Sequence, residues 1–337
     1  MSKYNNIYDV DEWKDEAISM KAQGFSTRHI CRSLFSNENY RNRLNAFFKR
    51  EDIAEQIESR QQQIESGISG NDYTDWKKKD KQSLGVVKKK PTILVIADTQ
   101  AKSEESLEYL LWVGHYIAEK QPDIIVHIGD HYDFPSLSSY DKGKSSSEGR
   151  RLSKDIDAGN KGFEYLNMAM EAIPDYNPRK VFCLGNHEHR LARYVDDNPE
   201  LIGTLGIDRL PFEKYGWEVH PFLKPVEIEG IYFVHYLANP FTGKPYAGTA
   251  ANILSKVGKS FVVGHKQTLD ISIRPTIDGS LQLGIVNGAC YDFNEGYKGW
   301  QGNHHFRGLT VLHECSNGFG TPMFASLDFM KEKYYGV

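Results

Sequence analysis

Cysteine is scarce in this chain. Its four residues, Cys31, Cys183, Cys290 and Cys315, lie far apart with no CxxC spacing, which argues against disulfides and zinc ligands. Three sit in apolar or strand-like context, so buried reduced thiols are the reading. Long apolar runs are missing too: no stretch approaches the roughly 18 residues needed to span a bilayer. Residues Met1 to Asn6 carry no apolar signal segment, so the expected compartment is the cytoplasm, with no membrane partner. A strong charge of one sign is also lacking. A formal net charge of −4 and a hydrophobic share of 39% describe an ordinary soluble protein. The 337 residues suffice for one large domain and a small accessory one.

What is present falls into three zones. Residues 1–70 are polar and helix-prone. Residues 71–91 contain Trp76-Lys-Lys-Lys and Lys88-Lys-Lys-Pro91 and read as a basic linker. From 92 to 337 apolar strands first alternate with amphipathic stretches, then follow one another with Gly at several joints. The pattern predicts strands near 92–97, 124–128, 180–184 and 260–264, and helices near 103–119, 151–173, 188–214 and 247–257. Short strands fill 217–235, and strand-rich sequence fills 271–287 and 307–327. Alternating β and α units followed by β-rich sequence imply an α/β fold of two packed sheets covered by helices.

Five apolar runs each end in a residue able to bind a metal ion. Thr92 to Ala97 leads to Asp98, Asp123 to Gly129 leads to Asp130, and Lys180 to Gly185 leads to Asn186 and His187. Ile231 to Val234 leads to His235, and Phe261 to Gly264 leads to His265. In open α/β sheets, ligands gather outside the carboxyl ends of the strands. Carboxylate, amide and imidazole donors converging there suit a pair of divalent ions, which can clamp a phosphate and lower the pKa of water. His187, beside Asn186, is placed to protonate a leaving oxygen.

At these residues the chain resembles the calcineurin-like metallophosphoesterases. The matching blocks are Asp98-Thr-Gln100, Gly129-Asp130-His-Tyr-Asp133, Gly185-Asn186-His187-Glu188, His235, and Gly264-His265-Lys-Gln267. The resemblance spans about 92–315. It implies a four-layer αββα sandwich, two mixed β-sheets flanked by helices, with a dinuclear centre. One ion is then held by Asp130, Asn186, His235 and His265. The other takes Asp98, Asp130, Gln100 and Gln267, with Asp130 bridging and His187 as the acid. Asp133 and Glu188 orient their neighbours.

Gln100 and Gln267 depart from the family, which has histidines there. An amide oxygen is a harder donor than imidazole, so Mn²⁺ or Mg²⁺ fits better than Zn²⁺. Either two divalent ions bind, most naturally Mn²⁺ with one site weak, or one ion remains. His304 and His305 are conceivable substitute ligands, but nothing in the sequence places them near the site. Lys266 is either a phosphate contact or a solvated lysine. His115, His127, His220 and His313 lack matching context and read as structural.

The first fifty residues read as helix, Gly-containing turn and helix, with Ser26 able to cap the second helix. A third helix is expected from about Asn37 through Arg50, and a solvated helix extension from 51 to 66. Arg28, Arg32, Arg41, Arg43, Lys49 and Arg50 outnumber Glu38, and the unit resembles a helix-turn-helix module. Arg41, Asn42 and Arg43 are the expected nucleic-acid contacts, the alternative being a packing unit whose charges face water. Between Asp133 and Arg151 a long polar loop carries Lys142, Lys144, Arg150 and Arg151, which suit either a polyanionic substrate or a mobile surface segment. The function expected is a metal-dependent phosphoester hydrolase, a nuclease or phosphodiesterase acting on nucleic acid as partner. The alternatives are a small-molecule or protein phosphatase, and a nucleic-acid-binding protein with a degenerate metal site.

Overall fold

The computed structural model describes Ile7 and residues 10–35, 40–69, 89–139 and 143–336. The chain forms two compact units, Met1–Lys88 and Lys89–Val337. Residues 71–88, most of the basic linker read from the sequence, lie outside the described residues.

The first unit contains α1 (Val10–Ala22), α2 (Thr27–Phe35), α3 (Arg41–Phe48) and α4 (Glu51–Ser69). Ser26 does cap α2, its Oγ accepting from His29 N at 3.3 Å. Trp13 is the core anchor, with Phe35 and Phe47 set edge-on at 5.4 and 4.9 Å. One expectation is corrected. The third helix ends at Phe48, and the largely exposed helix read at 51–66 is α4, set off from it at Lys49 and Arg50. Glu51 and Asp52 lie in its first turn, where carboxylates complement the helix dipole, and Asp52 pairs with Arg50 at 2.9 Å. Ile53 is fully buried in the unit's core and Ile57 packs against it. Two isoleucines four apart are one helix stripe.

In the second unit, strands β1 (Ile93–Ile96), β2 (Ile124–His127), β3 (Arg179–Cys183) and β4 (Trp217–His220) run parallel. Strands β10 (Gly308–Ser316) and β11 (Phe319–Ser326) extend that sheet antiparallel beyond β1, giving the order β11-β10-β1-β2-β3-β4. The second sheet contains β5 (Val226–Ile228), β6 (Ile231–Val234), β7 (Phe261–Val263), β8 (Asp270–Pro275) and β9 (Leu281–Val286). Its order is β5-β6-β7-β9-β8, with β6, β7 and β9 parallel. Both sheets are mixed.

Alternation along each strand assigns the layers. Ile93, Val95, Val126 and Val181 face Ile231, Phe233, Val262 and Ile285 in one apolar core between the sheets. Leu94, Ile96, Ile125 and Phe182 point the other way, into a core shared with helices α5 (Glu108–Lys120) and α6 (Leu152–Glu171). On the far side, Val234, Phe261 and Val263 meet α8 (Ala250–Val257). The result is the four-layer αββα sandwich.

The helical region read at 188–214 is α7 (Asn186–Asp197) followed by three 3₁₀ turns. After a short helix α9 (Gly299–Gly302), the chain closes with α10 (Leu327–Tyr335), which the strand pattern did not show. Ser326 Oγ caps it, accepting from Phe329 N at 3.1 Å. All four cysteines are buried and none forms a disulfide. Among the described residues no helix is long and apolar enough to cross a membrane.

Candidate metal centre

Each candidate ligand sits just past a strand end, and the backbone there is unusual. Asp98, Gln100, Asp130, His265 and Gln267 all have positive φ, between 43° and 66°. A non-glycine residue in this region costs about 1–3 kcal/mol, so five at one edge mark a place where the fold holds strained turns. Close approach adds to this. A Cβ on Gly264 would lie 2.5 Å from Asp98 Oδ2, and one on Gly185 would collide with Asp130 Oδ1.

Asp130, His235 and His265 present ligand atoms within 4.8 Å of one another. Asn186 joins them: its Oδ1 lies 2.8 Å from His235 Nε2 and 2.8 Å from His265 Nδ1. His235 Nδ1 stands 2.9 Å from the Ile128 carbonyl, which can only accept, so that nitrogen carries hydrogen. In the neutral ring, the Nε2 lone pair therefore faces Asn186 Oδ1 and, at 3.2 Å, Asp130 Oδ2. Three acceptors aimed at one buried point call for a cation.

The charges agree. Burial opposes a second proton on His235, yet the Asp130 carboxylate outweighs it and lifts the pKa to about 9. Burial also pushes Asp98 up to about 7, helped by Asp130, though His235 pulls it down. Asp130 itself is held well below the usual carboxylate range, because His187 and His235 overcome its burial. His265, buried and near His235, falls to about 4 and stays neutral. A proton on His235 and a metal ion are alternative answers to the same set of lone pairs.

Two further oxygens have no hydrogen-bond partner among the described residues: Asp98 Oδ1 and Gln100 Oε1, both buried. Asp98 uses its other oxygen to accept from His265 N at 2.9 Å. Unpaired buried acceptors are costly, and a second cationic group beside Asp98 and Gln100 would satisfy them. Gln267 differs from Gln100. Its Oε1 already accepts from Lys298 Nζ and, at 3.1 Å, from Tyr291 Oη.

His187 lies at the rim, its side chain 14% exposed. Its Nδ1 is 2.8 Å from Asp133 Oδ1, a close charge contact that falls short of hydrogen-bond alignment. Its Nε2 is 3.7 Å from Asp130 Oδ2. Burial works against a charged ring, but the two carboxylates prevail and the pKa is raised. Arg190, one turn along α7, donates to His187 Nε2 at 2.9 Å and to the Asp133 carbonyl at 2.8 Å. Sequence reasoning missed Arg190. Its signal was the i, i+3 spacing from His187 on a helix.

Glu188 organises the whole edge. Its Oε1 accepts from His131 N at 2.7 Å and Tyr132 N at 2.9 Å, while Oε2 accepts from Asp130 N and Gly185 N, both at 2.9 Å. One buried carboxylate thus ties the β2 turn to the start of α7. Beneath it runs a chain of neutral groups. Gly129 N donates to His127 Nδ1, leaving His127 Nε2 to donate to Thr99 Oγ1 at 3.0 Å. The Thr99 hydroxyl then donates to His131 Nδ1 at 2.8 Å, and His131 Nε2 donates to the Gly159 carbonyl at 2.9 Å. Burial depresses both histidines, His131 to about 4.

The remaining candidates fall away from the centre. Lys266 Nζ donates to the Gly248 carbonyl at 2.5 Å. His305 Nε2 lies 3.4 Å from Tyr291 Oη, one contact removed from Gln267. His304 packs edge-on against Trp300 at 4.6 Å. In the polar loop, Arg150 donates to the Pro135 carbonyl at 3.1 Å, and Lys142 lies outside the described residues.

A buried cluster of oxygen and imidazole donors at the strand ends of a two-sheet sandwich is suited to a divalent ion and so to phosphoester chemistry. The family profile of the calcineurin-like phosphoesterases matches residues 91–279, more than half of the chain, and the chain belongs to that family. It is similar to the Gene 54 protein of Mycobacterium phage L5, 27% identical over 179 residues, covering 51% of this chain and 68% of that protein. The Gene 54 protein of Mycobacterium phage D29 is 29% identical over 178 residues, with the same shares covered. Among solved structures, an archaeal phosphodiesterase is 13% identical with a TM-score of 0.33, covering 69% of this chain and 99% of that one. YfcE, a phosphoesterase from E. coli, is 13% identical with a TM-score of 0.30, covering 66% and 87%.

Proposed function

We propose that this phosphoesterase is a divalent-metal-dependent phosphodiesterase acting on nucleic acid. The observation that carries the chemistry is the convergence of Asp130, Asn186, His235 and His265 on one buried point, with His187 at its open rim. Those four residues would hold a divalent ion, and the imidazole and oxygen set suits Mn²⁺. Such an ion supplies Lewis-acid polarisation of a phosphoryl oxygen and lowers the pKa of water.

The chain's own residues do the rest. His187 carries a proton on Nε2 toward the departing oxygen as general acid. Asp133 beside Nδ1 stabilises the charged ring, and Asp130 adds to the field that keeps it protonated. Once Nε2 is protonated, the Arg190 contact turns repulsive, which frees the guanidinium for a phosphate oxygen. Glu188 keeps the Asp130 turn in place through its four backbone contacts.

Two features favour a nucleic-acid substrate. An aromatic ledge adjoins the centre: the Tyr236 ring lies 4.8 Å from His265, Phe222 lies 5.5 Å from Tyr236, and His189 stacks on Phe222 at 4.7 Å. Half-buried aromatic faces are platforms for bases. In the N-terminal unit, Arg28, Arg32, Arg41, Arg43 and Lys49 are exposed, and exposed cations attract phosphate backbones. The test is incubation with Mn²⁺ and end-labelled single- and double-stranded DNA and RNA. Cleavage of at least one is expected. Hydrolysis of bis-nitrophenyl phosphate without cleavage of any nucleic acid would remove the substrate class and leave the phosphodiesterase.

A further inference from the structure

This inference rests on the metal reading above and concerns the second cationic position. Of the oxygens that a dinuclear arrangement would give to another ion, Gln267 Oε1 is already engaged by the ammonium of Lys298. Lys298 Nζ also donates to Tyr291 Oη at 2.8 Å, and that hydroxyl donates to Gln267 at 3.1 Å, closing a three-membered cluster. The unpaired lone pairs of Asp98 Oδ1 and Gln100 Oε1 remain on the same edge.

Lys298 is held there. Its turn is fastened at Glu295, whose carboxylate takes both 3.0 Å contacts from Lys102 Nζ, with the two side chains only 8% and 13% exposed. Asn303 closes the turn from the other end, accepting from Glu295 N at 2.7 Å and donating to the Glu295 and Gly299 carbonyls at 3.0 and 2.9 Å. Lys102 follows Gln100 by two residues. The segment carrying Lys298 is therefore anchored to the loop that carries Asp98 and Gln100.

We propose that Lys298 is a built-in cation whose ammonium, bound to Gln267, takes the place of a second divalent ion at this edge. The chain then carries one exchangeable ion, at Asp130, Asn186, His235 and His265, and one fixed positive charge. An ammonium brings three donors and no acceptor, and two of its contacts are Gln267 Oε1 and Tyr291 Oη. Gln267, in place of an imidazole, gains a physical reason. An amide carbonyl accepts from an ammonium at any pH, whereas an imidazole can itself take a proton and repel it. A lysine so placed also excludes a metal from its own position, since two cations sharing one set of ligands repel.

The experiment is Mn²⁺ titration of the chelator-treated full chain, read by bound metal per chain and by the electron paramagnetic resonance of the bound Mn²⁺. Wild type is expected to saturate at one ion with the spectrum of an isolated spin. Lys298→Met, which keeps the length of the side chain and removes its charge, should take up a second ion and give the signal of a spin-coupled pair. Lys298→Arg should stay at one. Two ions in wild type would overturn the proposal whatever the variants do, and so would a Lys298→Met protein that folds and stays at one. No bound metal in wild type would overturn the metal reading itself, a result distinct from either.

Discussion

Glu188→Gln is the sharpest test of how the centre is held. The wild-type carboxylate accepts four backbone N–H groups, two on each oxygen, at 2.7–2.9 Å. The amide keeps one oxygen and turns an NH₂ toward the other two donors. Two buried N–H groups then lose their acceptor, at about 1–3 kcal/mol each, so a loss of about 4 kcal/mol is expected. For a unit of about 250 residues, 1 kcal/mol lowers Tm by about 2–4 °C, giving a fall of roughly 8–16 °C. Because one of those donors is Asp130 N, Mn²⁺ affinity should drop about 10- to 100-fold as well. Thermal unfolding followed by circular dichroism without metal, and calorimetric Mn²⁺ titration, read the two effects separately. A Tm within about 2 °C of wild type with unchanged affinity would refute the reasoning. It would mean that the Asp130 turn is positioned by something other than Glu188.

Asp130→Asn should lose bound Mn²⁺ by elemental analysis, while His187→Ala should keep it and lose about 10²- to 10⁴-fold in kcat; a fully active Asp130→Asn would contradict the site. His131 is neutral when folded, with a pKa near 4 against the ordinary 6.5. The unfolded chain therefore binds this proton first, so stability is complete above pH 6.5 and falls as pH drops toward 4. At about 1.4 kcal/mol per pH unit that is about 3 kcal/mol. Urea unfolding at pH 7 and 4 should show this extra loss in wild type relative to His131→Asn, and equal losses would contradict it. The double variant Arg41→Ala/Arg43→Ala should weaken nucleic-acid binding uniformly across sequences and lower the salt slope by about 2. Its hydrolysis of small diesters should not change, and an unaltered salt slope would assign those arginines to solvent.

Much of the architecture was legible because its signals are local. Apolar runs of strand length ending in Asp, Asn or His announce both a strand and what it delivers. Asp98, Asp130, Asn186, His235 and His265 accordingly meet at one edge. The boundary between α3 and α4 was not legible because Lys49 and Arg50, where the chain breaks, include neither Gly nor Pro. Helix α10 was missed because Ser326 and Leu327 complete the apolar alternation of β11 before the chain turns.

Residue order alone determined which chemical groups stand at the strand ends, since side-chain period and turn chemistry act over a few neighbours. Tertiary structure decided which of those groups are already satisfied. Gln100 and Gln267 look equivalent as letters, yet one oxygen is unpaired and the other holds Lys298, 31 residues away. Arg190 against His187, and His127, Thr99 and His131 joined in one chain, belong to the same kind of information. The physical reason is loop closure: contacts between distant segments are set by how whole layers pack, and no short stretch of sequence carries that record.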